Sequence, residues 1–242
     1  MSETTANKRL RKPVSRIGVR NWIRFAGLVI LGPVILFATA GTLRWWQGWV
    51  AAGIVLLGTG LSRAVVALVH PDLLAERARS LDAGNVKPWD RVIMPVIALF
   101  LPLVLWAVAG LDRRFGWSPD FALWVEIGGM ALVLVSLVGG TWAMVVNRFF
   151  SGTVRIQTER EHSVISDGPY RIVRHPGYAS AVFSYPGVSL LLGSLWALIP
   201  SAVIAILLVV RTGLEDRTLQ EELPGYREYA ARTRFRLIPG IW

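Results

Sequence analysis

Uncharged stretches of membrane-crossing length recur along the chain. Arg24 and Arg44 bracket 19 residues without Asp, Glu, Lys or Arg, and Arg44 and Arg63 bracket 18 more. Arg91 and Asp112 enclose 20, and Glu126 and Arg148 enclose 21. An α-helix needs roughly 20 apolar residues to cross a ~30 Å hydrocarbon core, so the pattern predicts four transmembrane helices within residues 22–147. A fifth run is longer: His175 to Val210 holds 36 residues with no formal charge other than the histidine. At about 1.5 Å per residue that is too much helix for one crossing. Pro186-Gly187, Gly193-Ser194 and Pro200 offer breaks, which predicts two short membrane helices joined near Gly193. Both ends of such a hairpin return to the same side.

Two polar segments flank the hairpin. In the first, residues 147–175, TVRIQ and HSVIS carry alternating β-branched residues around TERE, which predicts a small β-hairpin with His162 in it. Asp167-Gly168-Pro169 follows as a turn signature. The second segment is the C-terminal tail. It is expected to continue the second arm as helix, pause at Pro224-Gly225, resume through YREYAARTR and end at Pro239-Gly240. The fold class expected is therefore an all-α integral membrane protein. It has four transmembrane helices plus a helical hairpin near the C-terminus, a small cytoplasmic β-hairpin and a cytoplasmic C-terminal helix. Residues 1–21 read as a basic cytoplasmic tail held against anionic lipid heads, 22–147 as the four-helix part and 148–242 as the catalytic region.

Composition sharpens the class. Of 242 residues 53% are hydrophobic and 17% charged, against about a quarter charged in a soluble domain. The formal net charge of +10 raises nucleic acid as a partner until the cations are placed. Seven lie in the N-terminal segment up to Arg24, four between spans two and three, five in residues 148–174 and six from Arg211 onward. Arg44, Arg113 and Arg114 fall on the other side and Arg63 inside span two. This is the positive-inside distribution, and it predicts that both termini are cytoplasmic. The charge is then an orientation signal, and nucleic-acid binding is not needed to explain it. The first apolar stretch is of full span length and lacks a small-residue exit, so it reads as a retained span rather than a cleaved signal. The absence of cysteine excludes disulfides, zinc-thiolate sites and cysteine nucleophiles, and three histidines leave little for a metal site.

The chemistry-bearing residues gather at the hairpin's ends. Arg174 and His175 stand at its entrance, and Arg211, Glu215 and Asp216 at its exit. Arg211 and Glu215 are spaced i,i+4 and share a helix face. Folding the hairpin brings these groups together at the membrane boundary, where a zwitterion can be met from water and a lipophilic molecule from the bilayer. Read singly, the same residues also serve as interface anchors and a solvated helix pair, and Arg63 as a snorkelling cation.

At these residues the sequence resembles the superfamily of isoprenylcysteine carboxyl methyltransferases and phospholipid methyltransferases. The resemblance rests on Gly168-Pro169-Tyr170-Arg171, Arg174-His175-Pro176-Gly177-Tyr178 and Arg211-x-x-x-Glu215-Asp216. Tyr226-x-x-Tyr229 and Arg236-Leu237-Ile238-Pro239-Gly240 extend it, and NRFFSGTVRIQ upstream is similar to the bacterial and archaeal branch. The family's paired glutamates are here Glu215-Asp216. The resemblance implies S-adenosylmethionine as methyl donor, held outside any Rossmann loop. It implies donor contacts from Tyr170, Arg174, His175, Pro176, Tyr178, Glu215 and Tyr229. Arg211 is the expected holder of an acceptor carboxylate and, with Glu215, the catalytic pair. The acceptor class implied is a lipidated or lipophilic small molecule, with carboxylate O-methylation favoured. Phospholipid amine N-methylation and a sterol-type NADPH-dependent membrane reductase stand as alternatives.

Overall fold

The computed structural model describes residues 19–79 and 85–242, so most of the expected basic tail lies outside the described residues. All regular elements among the described residues are helical. Helix α1 spans Val19–Ala40. Helix α2 runs Trp46–Val69 and stops at His70, because the residue before Pro71 is steered out of the helical region. Pro71 then opens the short α3, Pro71–Arg79. Helix α4 covers Asp90–Phe115 and ends on Gly116 in the left-handed conformation, φ 63°. Helices α5, Leu123–Val146, α6, Pro176–Leu191, and α7, Leu198–Glu222, follow, and α8, Tyr226–Arg232, closes the helical part.

Four of these are long and apolar enough to cross a membrane: α2, α4, α5 and α7. Helix α1, 22 residues long, lies where the first span is expected, with Val29–Ala40 as the apolar stretch among its described side chains, and the second arm of the hairpin is itself of spanning length. The hairpin is thus present but lopsided, with 16 residues in α6 and 25 in α7. The charge-free run ends at Val210, yet α7 continues through Arg211–Glu222, with Arg211 and Asp216 paired inside the protein and Arg217 and Glu221 paired with each other at the surface.

Helices α5 and α6 form the closest pair. A Cβ on Gly129 would lie 2.7 Å from the Gly187 carbonyl oxygen, so only two bare glycines allow the backbones this near. Around them Leu36, Trp106, Ala109, Val133 and Leu191 make the buried core. At the hairpin's tip the chain turns on Gly193, φ 67°. Buried Asp112 pins that turn, accepting from Ser118 N at 2.7 Å, from Ser118 Oγ at 2.6 Å and from Ser194 Oγ. Glu126, also buried, accepts from Gln47 Nε2 at 2.9 Å.

The expected β-hairpin is absent: among the described residues there is no strand, and Thr158–Arg160 forms a single 3₁₀ turn. The reason lies in where the backbone bonds go. Val154 N donates to Asp90 Oδ2 at 2.6 Å, Lys87 N donates to Val154 O at 3.1 Å, and Asn85 Nδ2 donates to Ile156 O at 2.7 Å. Groups that a ladder would have used are taken by the segment before α4. Buried Gln157 further ties the segment to itself, donating to Phe149 O at 2.7 Å. The C-terminal helix is also shorter than expected. After Arg232 the chain leaves the helix and lies beside the start of α6, where Arg174 N donates to Phe235 O at 2.9 Å and His175 N to Arg236 O at 3.0 Å.

Candidate functional site

A concave space of about 810 Å³, open to solvent on one side, lies between the 147–165 segment and the polar ends of α6, α7 and α8. Tyr170, Arg174, His175, Tyr178, Glu215 and Tyr229 all line it. Pro176 and Arg211 do not. Pro176 takes the first position of α6, where its missing N–H costs nothing, and Arg211 sits behind the wall.

Arg211 is fully engaged. Its Nε and Nη2 donate to the two oxygens of Asp90 at 2.7 and 2.9 Å, and Nη2 also donates to Gly152 O at 3.0 Å. The remaining nitrogen, Nη1, donates to Tyr178 Oη at 2.5 Å, and the guanidinium stacks over that ring at 5.0 Å. Tyr178 Oη in turn donates to Glu215 Oε2 at 2.5 Å. A relay therefore runs Asp90–Arg211–Tyr178–Glu215, and only its last two members reach the cavity.

Asp216 is a second hub, and it faces away from the first. Its carboxylate has no exposed surface. Arg174 Nε lies 2.9 Å from Oδ1 and Nη2 donates to Oδ2 at 3.1 Å. Arg236 Nε, Gln220 Nε2 and Tyr226 Oη donate at 2.9, 2.8 and 3.1 Å, and His175 Nε2 lies at 3.4 Å. The shorter acid in the Glu215-Asp216 pair is thus the anchor that holds the hairpin's entrance, its exit and the tail together. Neighbouring acids on one helix have divided the work, one inward to the fold and one outward to the cavity.

Aromatic groups supply most of the remaining wall. Tyr229 Oη donates to Tyr170 O at 2.7 Å, and Asn147 Nδ2 donates to Tyr170 Oη at 3.1 Å. Burial pushes the Tyr229 hydroxyl up to about 12, and burial likewise pushes Tyr170 and, aided by the Asp216 charge, Tyr226 well up. These phenols stay neutral donors at physiological pH. His162 also lines the cavity, tilted against Phe149 with ring centroids 4.6 Å apart. Burial, with the Arg160 and Arg155 charges, lowers its imidazole to about 4.

Sequence reasoning missed Asp90, Tyr226 and His162 as parts of this assembly. Asp90 had a signal: it is an acid two positions before the charge-free run of α4. Its partner, however, is 121 positions away. Tyr226 stands in the quoted tail pattern but carried no assignment.

A second space, of about 670 Å³, opens sideways between α2, α5 and α6. Val133, Leu137, Met144 and Tyr185 line it, with Ser62, Thr141 and Ser180 as its polar points. Gly177 borders both spaces.

Residues 121–221 match the family model described as the Isoprenylcysteine carboxyl methyltransferase (ICMT) family. The match runs from the start of α5 nearly to the end of α7, so it contains Tyr170, the Arg174–Tyr178 stretch, Arg211, Glu215 and Asp216. It bears out the resemblance read from the sequence. Among curated proteins the chain is similar to a "Probable protein-S-isoprenylcysteine O-methyltransferase" from Oryza sativa subsp. indica. The two are 29% identical over 116 residues, 45% of this chain and 58% of the relative. It is also similar to "Protein-S-isoprenylcysteine O-methyltransferase B" from Arabidopsis thaliana, 25% identical over 100 residues, 41% of this chain and 48% of the relative. The chain spans about half the length of the curated relatives it matches.

Proposed function

We propose that this chain, with its isoprenylcysteine carboxyl methyltransferase segment at residues 121–221, is an integral-membrane methyltransferase. It transfers a methyl group from S-adenosylmethionine to the carboxylate of a lipophilic acceptor of the isoprenylcysteine kind. The observation that carries the reading is the shared border at Gly177, where a polar, carboxylate-bearing cavity open to water meets an apolar space open to the side.

The residues present suit the donor. Glu215 offers a carboxylate to an ammonium or to ribose hydroxyls, and Tyr170, Tyr178, Tyr226 and Tyr229 offer ring faces to an adenine and a cation. His175 and Arg174 border the same space from their Asp216 anchor. When bound, the donor supplies an electrophilic methyl group on a sulfonium. The acceptor carboxylate is already ionised, so no side chain has to remove a proton. The chain's work is to orient the two partners and exclude water. Tyr178 fixes the Glu215 carboxylate, and Arg211 fixes Tyr178, so Arg211 acts as a positioning residue rather than as the direct holder of the acceptor.

A carboxylate is favoured over an amine, because the relatives above are named O-methyltransferases and a carboxylate acceptor needs no base. The division into a four-helix part and a catalytic region from residue 148 needs one amendment in this reading, since Asp90 joins the relay from outside that region. The cavity and both termini face the cytoplasm, the side to which the basic residues gather. Membranes incubated with methyl-labelled S-adenosylmethionine test the assignment. Lipid-extractable label released as methanol by mild base is expected. Base-stable label indicates amine methylation, and no label in lipids refutes methyl transfer.

A further inference from the structure

Phe150 lies where the two spaces meet. Its ring belongs to the wall of the donor cavity, and it packs against the Tyr170–Tyr226–Tyr229 cluster. The same residue packs against a different cluster, Val66, Leu73 and Leu74, beside Met144, which lines the lateral space. Opposite it stands Gly177, the residue that borders both spaces. A Cβ on Gly177 would lie 2.5 Å from Phe150 Cζ and 2.6 Å from Cε2. The ring edge therefore rests directly on bare backbone, and no other side chain type fits at position 177 without moving it.

The ring is held from behind. The Arg77 guanidinium lies 5.3 Å from its centroid, and Arg77 Nη1 donates to Phe150 O at 3.1 Å and to Ser151 O at 3.2 Å. Backbone and ring are thus fastened by one cation, while the ring face remains only half-buried.

We infer that the Phe150 ring, seated on Gly177, is the partition between the donor cavity and the lateral space, and that it sets the width of acceptor stem able to pass between them. This rests on the methyltransferase reading above. In that geometry the acceptor's tail lies in the lateral space and its carboxylate in the donor cavity. The part that must cross the partition is the short stem joining them. A slim, unbranched stem slides between ring edge and backbone, whereas a stem crowded with substituents meets the ring.

The test uses the full chain in detergent or nanodiscs and two acids that share one farnesyl tail and differ only at the stem: S-farnesyl-3-thiopropionic acid, which is slim, and its 3,3-dimethyl analogue, which is crowded. Affinity for each is measured by calorimetry, alongside donor affinity and methyl transfer. The wild-type protein binds the slim acid in preference. Phe150→Ala reduces that preference by about tenfold, the scale at which an apolar pocket discriminates by bulk. Phe150→Leu keeps an apolar side chain in place, serves if the alanine variant does not fold, and gives an intermediate preference. An unchanged preference in a folded variant overturns the partition. Acids that bind with the expected preference but gain no methyl group in the wild-type protein overturn the methyltransferase reading and leave the partition standing.

Discussion

Asp90 and Arg211, 121 residues apart, meet through two hydrogen bonds of 2.7 and 2.9 Å in a region from which water is excluded. The pair joins the start of α4 to the middle of α7. It also sets the orientation of Tyr178, and through it that of Glu215.

Removing one member leaves the other charge stranded. Asp90→Ala is expected to cost about 3–5 kcal/mol of stability, the usual penalty for breaking a buried pair from one side. Asp90→Ala combined with Arg211→Met recovers a large part of that loss, because no unpaired charge remains. Thermal unfolding in detergent for the two single variants and the double variant checks both statements. Additive losses would mean that the pair is not coupled.

Glu215 and Asp216 are adjacent, yet their neutral variants should fail differently. Glu215→Gln is expected to fold normally and to lose about ten- to a hundredfold in donor affinity, the value of a hydrogen bond to a charged group. Asp216→Asn is expected to lower the melting temperature, since it takes the charge from the centre of contacts with Arg174 and Arg236. Calorimetric donor titration and melting curves separate the two outcomes.

His162 gives stability a pH dependence of known sign. Its folded value of about 4 lies below the ordinary 6.5, so between those limits the unfolded chain binds more protons than the folded one. The contribution is complete above about pH 6.5 and fades as pH falls toward 4. The difference in melting temperature between wild type and His162→Phe should therefore change across that window and be flat above it.

Gly129→Ala tests the helix pair. Alanine favours helix over glycine by about 1 kcal/mol, so a gain is expected from propensity alone. Here the added Cβ would lie 2.5 Å from Leu191 N and 2.7 Å from Gly187 O, both backbone atoms that cannot swing aside. A net loss of about 1–3 kcal/mol is expected, typical of overpacking, and melting in detergent reads its sign.

Much of this arrangement was legible in the sequence because hydrophobic length and charge-free runs are one-dimensional quantities. They located α2, α4 and α5 and the turn at Gly193, and the resemblance located Tyr170, Arg174, His175, Tyr178, Glu215 and Tyr229, which do share one cavity. What failed depended on partners distant in sequence. Alternation in TVRIQ and HSVIS said nothing of Asp90, whose carboxylate takes the Val154 N–H that a ladder would have used. Arg211 looked available because a guanidinium at a span end usually is, and the acid that occupies it lies on another helix. Asp216 read only as a shorter acid where the family pairs two glutamates, and its burial follows from a tail that folds back only in three dimensions.

The shortness of α6 fixes how deep the chemistry sits. From Tyr178 to Leu191 the helix rises about 20 Å, against a hydrocarbon thickness of ~30 Å. Trp117 and Trp196, half-exposed and packed edge to face 6.2 Å apart at the hairpin's tip, suit a far interface. On the membrane reading proposed above, Tyr178 and the Gly177 border lie about 10 Å inside the near surface, beneath the headgroups. The proposed lipophilic acceptor then reacts without being lifted out of the bilayer, and it is the proposed water-soluble donor that descends to it.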